Sequence, residues 1–301
     1  MQGWVGFNHR FSLCPLRRLD SLGRSGNLGG RLKFAICNEI FQKWSLEDTF
    51  AYAAKVGYDA VEIAPFTISN YVTDIGAQER ERIRSSAARG GVEISGIHWV
   101  LANTEGMHLT HPDASVRQRT GRYLCHLVDF CADLGGHIIV VGSPKQRSLM
   151  EGVSMGQALE WAAGVFQEPA RRGQERDVTI CFEPLAPIET NFINTAADAI
   201  AFVQRLDNKN FRILLDVKAM SSEAKPVPQI IRESWPHFAY FHANDTNYKG
   251  PGFGDVDFKP IAAALKEVGY DGFVSVEVFK FEEGPEVIAS RSIEYLRRVF
   301  C

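Results

Sequence analysis

The sequence predicts an α/β chain that closes into a single-domain (β/α)8 barrel, and three observations carry that prediction. From Leu32 onward, short apolar segments alternate with amphipathic ones. The apolar segments are mostly brief and continuous, as parallel strands buried on both faces are. Four consecutive ones end in Glu183, Asp216, His242 and Glu277, and the C-terminal strand ends of a parallel barrel form its active face.

The elements follow in order. Lys33–Cys37 is the first expected strand. The helix after it opens at Ser45, a residue suited to an N-cap, with Glu47 and Asp48 in its first turn and Gly57 marking its end. Ala60–Ile63 and Glu93–His98 are the second and third strands. Arg117–Leu134 reads as a long amphipathic helix that stops at Gly135 and Gly136, ahead of a fourth strand at His137–Gly142. Val178–Glu183 is the fifth strand. Ala196–Arg205 is helical, with Asn194 or Thr195 as its cap, and Arg212–Asp216 is the sixth strand. The seventh, Ala239–His242, runs into a glycine-rich loop at Gly250–Gly254. Asp257 then opens a helix that covers Pro260–Val268, and a turn at Gly269–Gly272 leads to the last strand, Phe273–Glu277. A doubly wound open sheet is the rival. It requires a Gly-x-Gly-x-x-Gly turn after the first strand, where Cys37, Asn38, Glu39 and Ile40 stand instead.

The hydrophobic fraction of 45% and charged fraction of 23% are those of an ordinary soluble enzyme. A formal charge of −3 argues against electrostatically driven nucleic-acid binding. No apolar run approaches the ~20 residues of a membrane span. The six cysteines include no CxxC pair, and Cys37 and Cys181 read as core thiols, so a reducing cytoplasm is the expected compartment. Residues 1–31 carry Arg10, Arg17, Arg18 and Arg24, few acids and no clean period. They are expected to be a disordered extension from an upstream start codon, with a targeting segment as the alternative. The barrel domain is expected over 32–301.

Three carboxylates and one imidazole at successive strand ends form an oxygen-rich set. It suits manganese or magnesium better than a structural zinc site, which prefers thiolates and imidazoles. The expected cofactor is one divalent ion, Mn2+ first, with Mg2+, Co2+ or Zn2+ as alternatives. Such an ion on the vicinal oxygens of an α-hydroxy ketone acidifies the carbon-bound proton between them by stabilising the enediolate. Glu183 and Glu277 are then the base and acid on opposite sides of the substrate. Glu62 and His98 end the second and third strands and are expected at the same mouth as substrate contacts. Lys145 and Arg147 are candidates to clamp an anionic group. Lys218 is expected to neutralise an enolate or pair with Glu183, and Glu189 to bind a substrate hydroxyl. Trp99 is expected to pack, with the wall of a sugar pocket as its alternative role. His108, His111 and His126 have no ligand spacing.

Taken together these residues resemble the sugar phosphate isomerase/epimerase superfamily, the xylose isomerase-like TIM barrels, over roughly Leu32 to Arg298. The likeness rests on the Glu183 strand with Glu189, on Leu215 and Asp216, on His242 through Asp245, on Gly250 through Asp257, and on Gly269–Gly272 with Val276 and Glu277. It implies one divalent metal, often manganese, held by Glu183, Asp216, His242 and Glu277. In the ketose 3-epimerases of this superfamily the positions matching Glu183 and Glu277 also exchange the substrate proton. Those epimerases carry a histidine three residues after the metal aspartate and an arginine six after the metal histidine. Here Ala219 and Tyr248 stand there. A substrate other than a free ketohexose is therefore expected: a phosphorylated sugar, a keto acid or an oxidised glycoside. The expected function is a metal-dependent sugar or sugar phosphate isomerase/epimerase, with a small carbohydrate as partner and a homo-oligomer as an open assembly. A lyase or dehydratase on a keto sugar or 3-keto glycoside needs the same enolate and is the nearest alternative. A non-catalytic sugar-binding barrel is a second. A DNA-repair endonuclease of the endonuclease IV type is the third, and it calls for more strand-end histidines than His98 and His242.

Overall fold

The computed structural model describes residues 32–300. The expected extension over residues 1–31 lies outside the described residues. Eight strands, β1 (Lys33–Cys37), β2 (Ala60–Ile63), β3 (Glu93–Ile97), β4 (Ile138–Val141), β5 (Thr179–Phe182), β6 (Phe211–Asp216), β7 (Phe238–Ala243) and β8 (Phe273–Val276), pair in parallel in chain order. β8 then pairs with β1 and closes the barrel. Around it lie α1 (Leu46–Val56), α2 (Ala77–Gly90), α3 (Ala114–Asp133), α4 (Met155–Arg176), α5 (Ala196–Val203), α6 (Val217–Met220), α7 (Val227–Ser234), α8 (Phe258–Glu267) and α9 (Pro285–Phe300). This is the (β/α)8 TIM barrel that the alternation predicts.

The differences from expectation are local and have local causes. α3 begins three residues before Arg117 because Asp113 caps it, accepting from the Ser115 N–H at 2.7 Å. Asp257 caps α8 in the same way, and Thr195 rather than Asn194 caps α5. Strands β3, β4, β5 and β8 stop one residue short of His98, Gly142, Glu183 and Glu277. They stand at the mouth, where His98, Glu183 and Glu277 still donate their N–H groups to Ile63, Val141 and Ala243 of the neighbouring strands at 3.0, 3.2 and 3.3 Å.

Side chains two apart on a strand share a face. Cys181 and Glu183, Leu214 and Asp216, Tyr240 and His242, and Ser275 and Glu277 are such pairs. Val140, Cys181, Leu214 and Tyr240 form a small apolar cluster of their own, separate from the large core between strands and helices. That small cluster is the plug of the barrel interior, and the polar residues lie one step further toward the C-terminal end. Register keeps them level: Asp216 pairs with His242 and His242 with Ser275, while Cys37 pairs with Glu62.

Candidate active site

The structure brings Glu183, Asp216, His242 and Glu277 together, with one ligand atom of each within 4.8 Å of the others, and all four are buried. They arrive from β5, β6, β7 and β8 and from the residues just beyond. The glycine-rich loop after β7 is pinned beneath the mouth by Asp245, whose carboxylate accepts from the Val256 N–H at 3.1 Å. Gly254 fits there because a Cβ would stand 2.2 Å from Asp245 Oδ1.

His242 is oriented from behind. Its Nε2 faces the Glu62 carboxylate at 3.1 Å, and Glu62 also accepts from Ser275 Oγ at 2.6 Å and Cys37 Sγ at 3.5 Å. Glu62 was expected as a substrate contact; its side chain is wholly enclosed, with its oxygens engaged inside the barrel. A shift in register between Val61 and Glu62 where β2 meets β3 accompanies this inward placement. A carboxylate on the far ring nitrogen fixes the imidazole tautomer and aims the other nitrogen forward. That other nitrogen, Nδ1, is buried, has no hydrogen-bond partner, and stands 3.2 Å from Glu277 Oε2.

Glu277 is held from three sides. His98 Nδ1 lies 3.4 Å away and Asn244 Nδ2 3.5 Å away, with His242 as the third neighbour. His98 is therefore a neighbour of Glu277, and its Nε2 bonds to Glu39 at 2.9 Å. Asn244 also donates to Asp216 Oδ2 and accepts from the Lys218 N–H at 2.8 Å. Neither Asn244 nor Glu39 follows from a strand-end pattern. The signal for Asn244 was its place two residues after His242.

Above these groups lies a narrow cleft lined by His98, Trp99, Glu183, Glu189, Lys218, Glu277 and Phe279, among others. Lys218 crosses it to bond Glu189 Oε1 at 2.7 Å, rather than Glu183, and its ammonium lies 4.2 Å from the centre of the Phe279 ring. Tyr248 stands at the rim, 6.2 Å from Phe279 between ring centres. The expected clamp of Lys145 and Arg147 does not present one face. Lys145 is exposed, while Arg147 is fully buried against the Phe182 ring and donates to the Glu183 carbonyl oxygen at 2.6 Å.

The electrostatics set the carboxyls apart. Burial, then Glu277 and Asp216, pushes Glu183 up to about 8. Burial, then Glu277, pushes Asp216 up to about 6. Burial alone would raise Glu277, but His242 and His98 hold it well below the usual carboxylate range. Burial would also lower His98, yet Glu39, Glu62 and Glu277 push it up to about 10. Three enclosed carboxyls around an imidazole nitrogen without a partner fit a hard divalent cation: oxygen donors predominate and the buried charge needs balance. Ligands must shed protons to bind it. We therefore expect manganese affinity to fall as pH drops from 8 to 6, by about tenfold per unit for each proton displaced. Calorimetry in two buffers of different ionisation enthalpy counts those protons, and a flat affinity with no proton release would show the carboxyls already ionised. Without the ion, these two carboxyls, raised on folding, contribute stability below the ordinary carboxylate range. That contribution is lost as pH rises through 6 toward 8.

A family profile described as a xylose isomerase-like TIM barrel matches residues 50–299. D-psicose 3-epimerase of Ruminiclostridium cellulolyticum is 26% identical over 242 residues, 79% of this chain and 80% of that one. The 3-dehydro-D-guloside 4-epimerase of Escherichia coli is 23% identical over 276 residues, 88% of this chain and 99% of that one. The solved structure of D-psicose 3-epimerase with D-tagatose from Clostridium cellulolyticum superposes with a TM-score of 0.79. At 21% identity it covers 89% of this chain and 99% of that one, and shares the fold.

Proposed function

The chain belongs to the xylose isomerase-like TIM-barrel family, and from that premise we propose that it is a divalent-metal-dependent epimerase acting on a keto sugar or a derivative of one. The observation that carries the proposal is the convergence of Glu183, Asp216, Glu277 and the partnerless Nδ1 of His242 in one buried place. The named relatives, a 3-epimerase and a 4-epimerase, support the same reaction class.

Glu183, Asp216, His242 and Glu277 would hold the ion. A divalent cation there supplies Lewis acidity, which makes a C–H beside a carbonyl easier to ionise. The remaining work belongs to the side chains. Glu277, kept ionised by His98 and His242, would remove a proton, and Glu183, ionised once it holds the ion, would return to the other side a proton taken up from solvent. Two carboxyls able to reach opposite faces of one carbon are what an epimerisation requires, since a proton leaves one face and another returns to the other. Lys218, tied to Glu189, lends a positive charge at the cleft where negative charge develops on a substrate oxygen. Glu62 takes no part in the proton traffic and keeps His242 aimed. Manganese as the native ion and the cytoplasm as the compartment are parts of the same reading. The buried thiols of Cys37, Cys131 and Cys181 agree with a reducing compartment.

The experiment is solvent deuterium uptake, followed by NMR, with manganese-loaded protein and a panel of keto sugars, sugar phosphates and 3-keto glycosides. Uptake at a carbon beside the carbonyl, abolished by a chelator and restored by manganese, is the expected result. Loss of water or an alcohol from the product would assign a lyase instead. Unaltered ligand binding after chelation with no turnover from any compound would assign a binding protein.

A further inference from the structure

Beside the narrow cleft lies a groove of about 950 Å3, lined by the loops that follow β1, β2, β3 and β8 and by residues of α1 and α2. Trp99 and Phe279 line both spaces and pack edge to face with ring centres 6.3 Å apart. The groove therefore adjoins the cleft that Glu183 and Glu277 line, with Trp99 and Phe279 as their shared wall. Its size is at the upper end of the ~300–1,000 Å3 typical of sites for drug-sized molecules, more than a lone monosaccharide needs.

The lining says what it takes. Trp44, Phe66, Trp99, Phe279 and Phe281 all present partly exposed aromatic rings to it. The polar groups are largely engaged with one another: the Asn38 amide bonds Thr67 Oγ1 at 2.8 Å and the Ala64 N–H at 2.7 Å, Glu39 bonds His98 through Oε2 while its Oε1 is enclosed without a partner, and Arg82 is tied to Glu47 and Glu79. Over the aromatic rings sugar hydroxyls would lose water without gaining partners, whereas an apolar group would meet rings, and Gln42, Lys43 and Asn103 leave polar groups elsewhere along the groove. The backbone agrees. Lys43, Trp99 and Asn103 all line the groove with left-handed φ of 67, 53 and 58°. Strained residues persist where surrounding structure fixes them, and they cluster at binding sites.

We propose that this groove is the subsite for an apolar substituent carried by the sugar, so that the substrate is a keto sugar bearing an aryl or alkyl group, an oxidised glycoside, rather than a free ketose. The inference rests on the epimerase reading above for its reacting end and on the groove alone for the substituent.

Two probes differing only in the substituent test it: methyl and phenyl 3-keto-glucoside. We expect kcat/KM for deuterium uptake to favour the phenyl compound by about tenfold or more, mostly through KM. Trp44→Ala should collapse that ratio, and Phe66→Ala, from a different loop, should do the same if the first variant folds poorly. A readout without turnover accompanies it. Phenyl glucoside, which has no keto group, should quench tryptophan fluorescence at concentrations where methyl glucoside does not. Equal kcat/KM values with equal fluorescence titrations would overturn the groove assignment and leave the epimerase reading standing. Phenyl-selective binding with no uptake from either keto glycoside would keep the subsite and remove the epimerase.

Discussion

Glu277→Gln is expected to slow solvent exchange beside the carbonyl by about a thousandfold while leaving the barrel folded. The magnitude follows from the role, since a positioned general base contributes roughly 10²–10⁴. Retention of the fold follows from the contacts. Glutamine has nearly the same shape, and its amide oxygen can still accept from His98 or Asn244, the donors around Glu277 Oε1 and Oε2. The amide cannot take a proton, and it offers a cation a neutral donor in place of an anion. Uptake should be measured at saturating manganese, with the manganese affinity determined separately, so that lost metal is not mistaken for lost base. Exchange at the wild-type rate would remove Glu277 from the chemistry.

Gly142→Ala is the second large effect. A Cβ at position 142 would stand 1.8 Å from Glu183 Oε2, so that carboxylate must move. The backbone at Gly142 is not left-handed, and alanine adds no strain of its own. The substitution thus displaces one reacting group and little else. Misplacing such a group by about an ångström costs on the order of a hundredfold in rate. We expect that loss in uptake with a Tm within a few degrees of wild type. An unchanged rate would mean that Glu183 works from a position other than the one against Gly142.

Much of this was legible in the chain because it is local. A brief apolar run followed by an acid or histidine marks both a strand and its mouth, and Glu183, Asp216, His242 and Glu277 each announce themselves that way. Glu62 shows the limit. Its strand was legible, but its carboxylate lies beneath His242 because of pairing between β2 and β3 and a partner, Ser275, 213 residues distant. Arg147 has the charge of a surface clamp but is fully buried, packed on the Phe182 ring and donating to the Glu183 carbonyl oxygen. Lys218 finds Glu189 through a loop folding back over the mouth. Such choices depend on which strands become neighbours, and no spacing along one segment records them.

The four converging side chains come from the last four strands, between Glu183 and Glu277, whereas most of the aromatic groove comes from the first three loops, between Asn38 and Asn103. The converging side chains and most of the groove are thereby written in different halves of the polypeptide. A lineage could vary those loops and acquire new tastes without dismantling the reaction so long as it kept Glu62, which aims His242, and His98 with Glu39, which hold Glu277. For protein engineers the seam between β4 and β5 is a natural crossover point at which to graft one barrel's appetite onto another's chemistry.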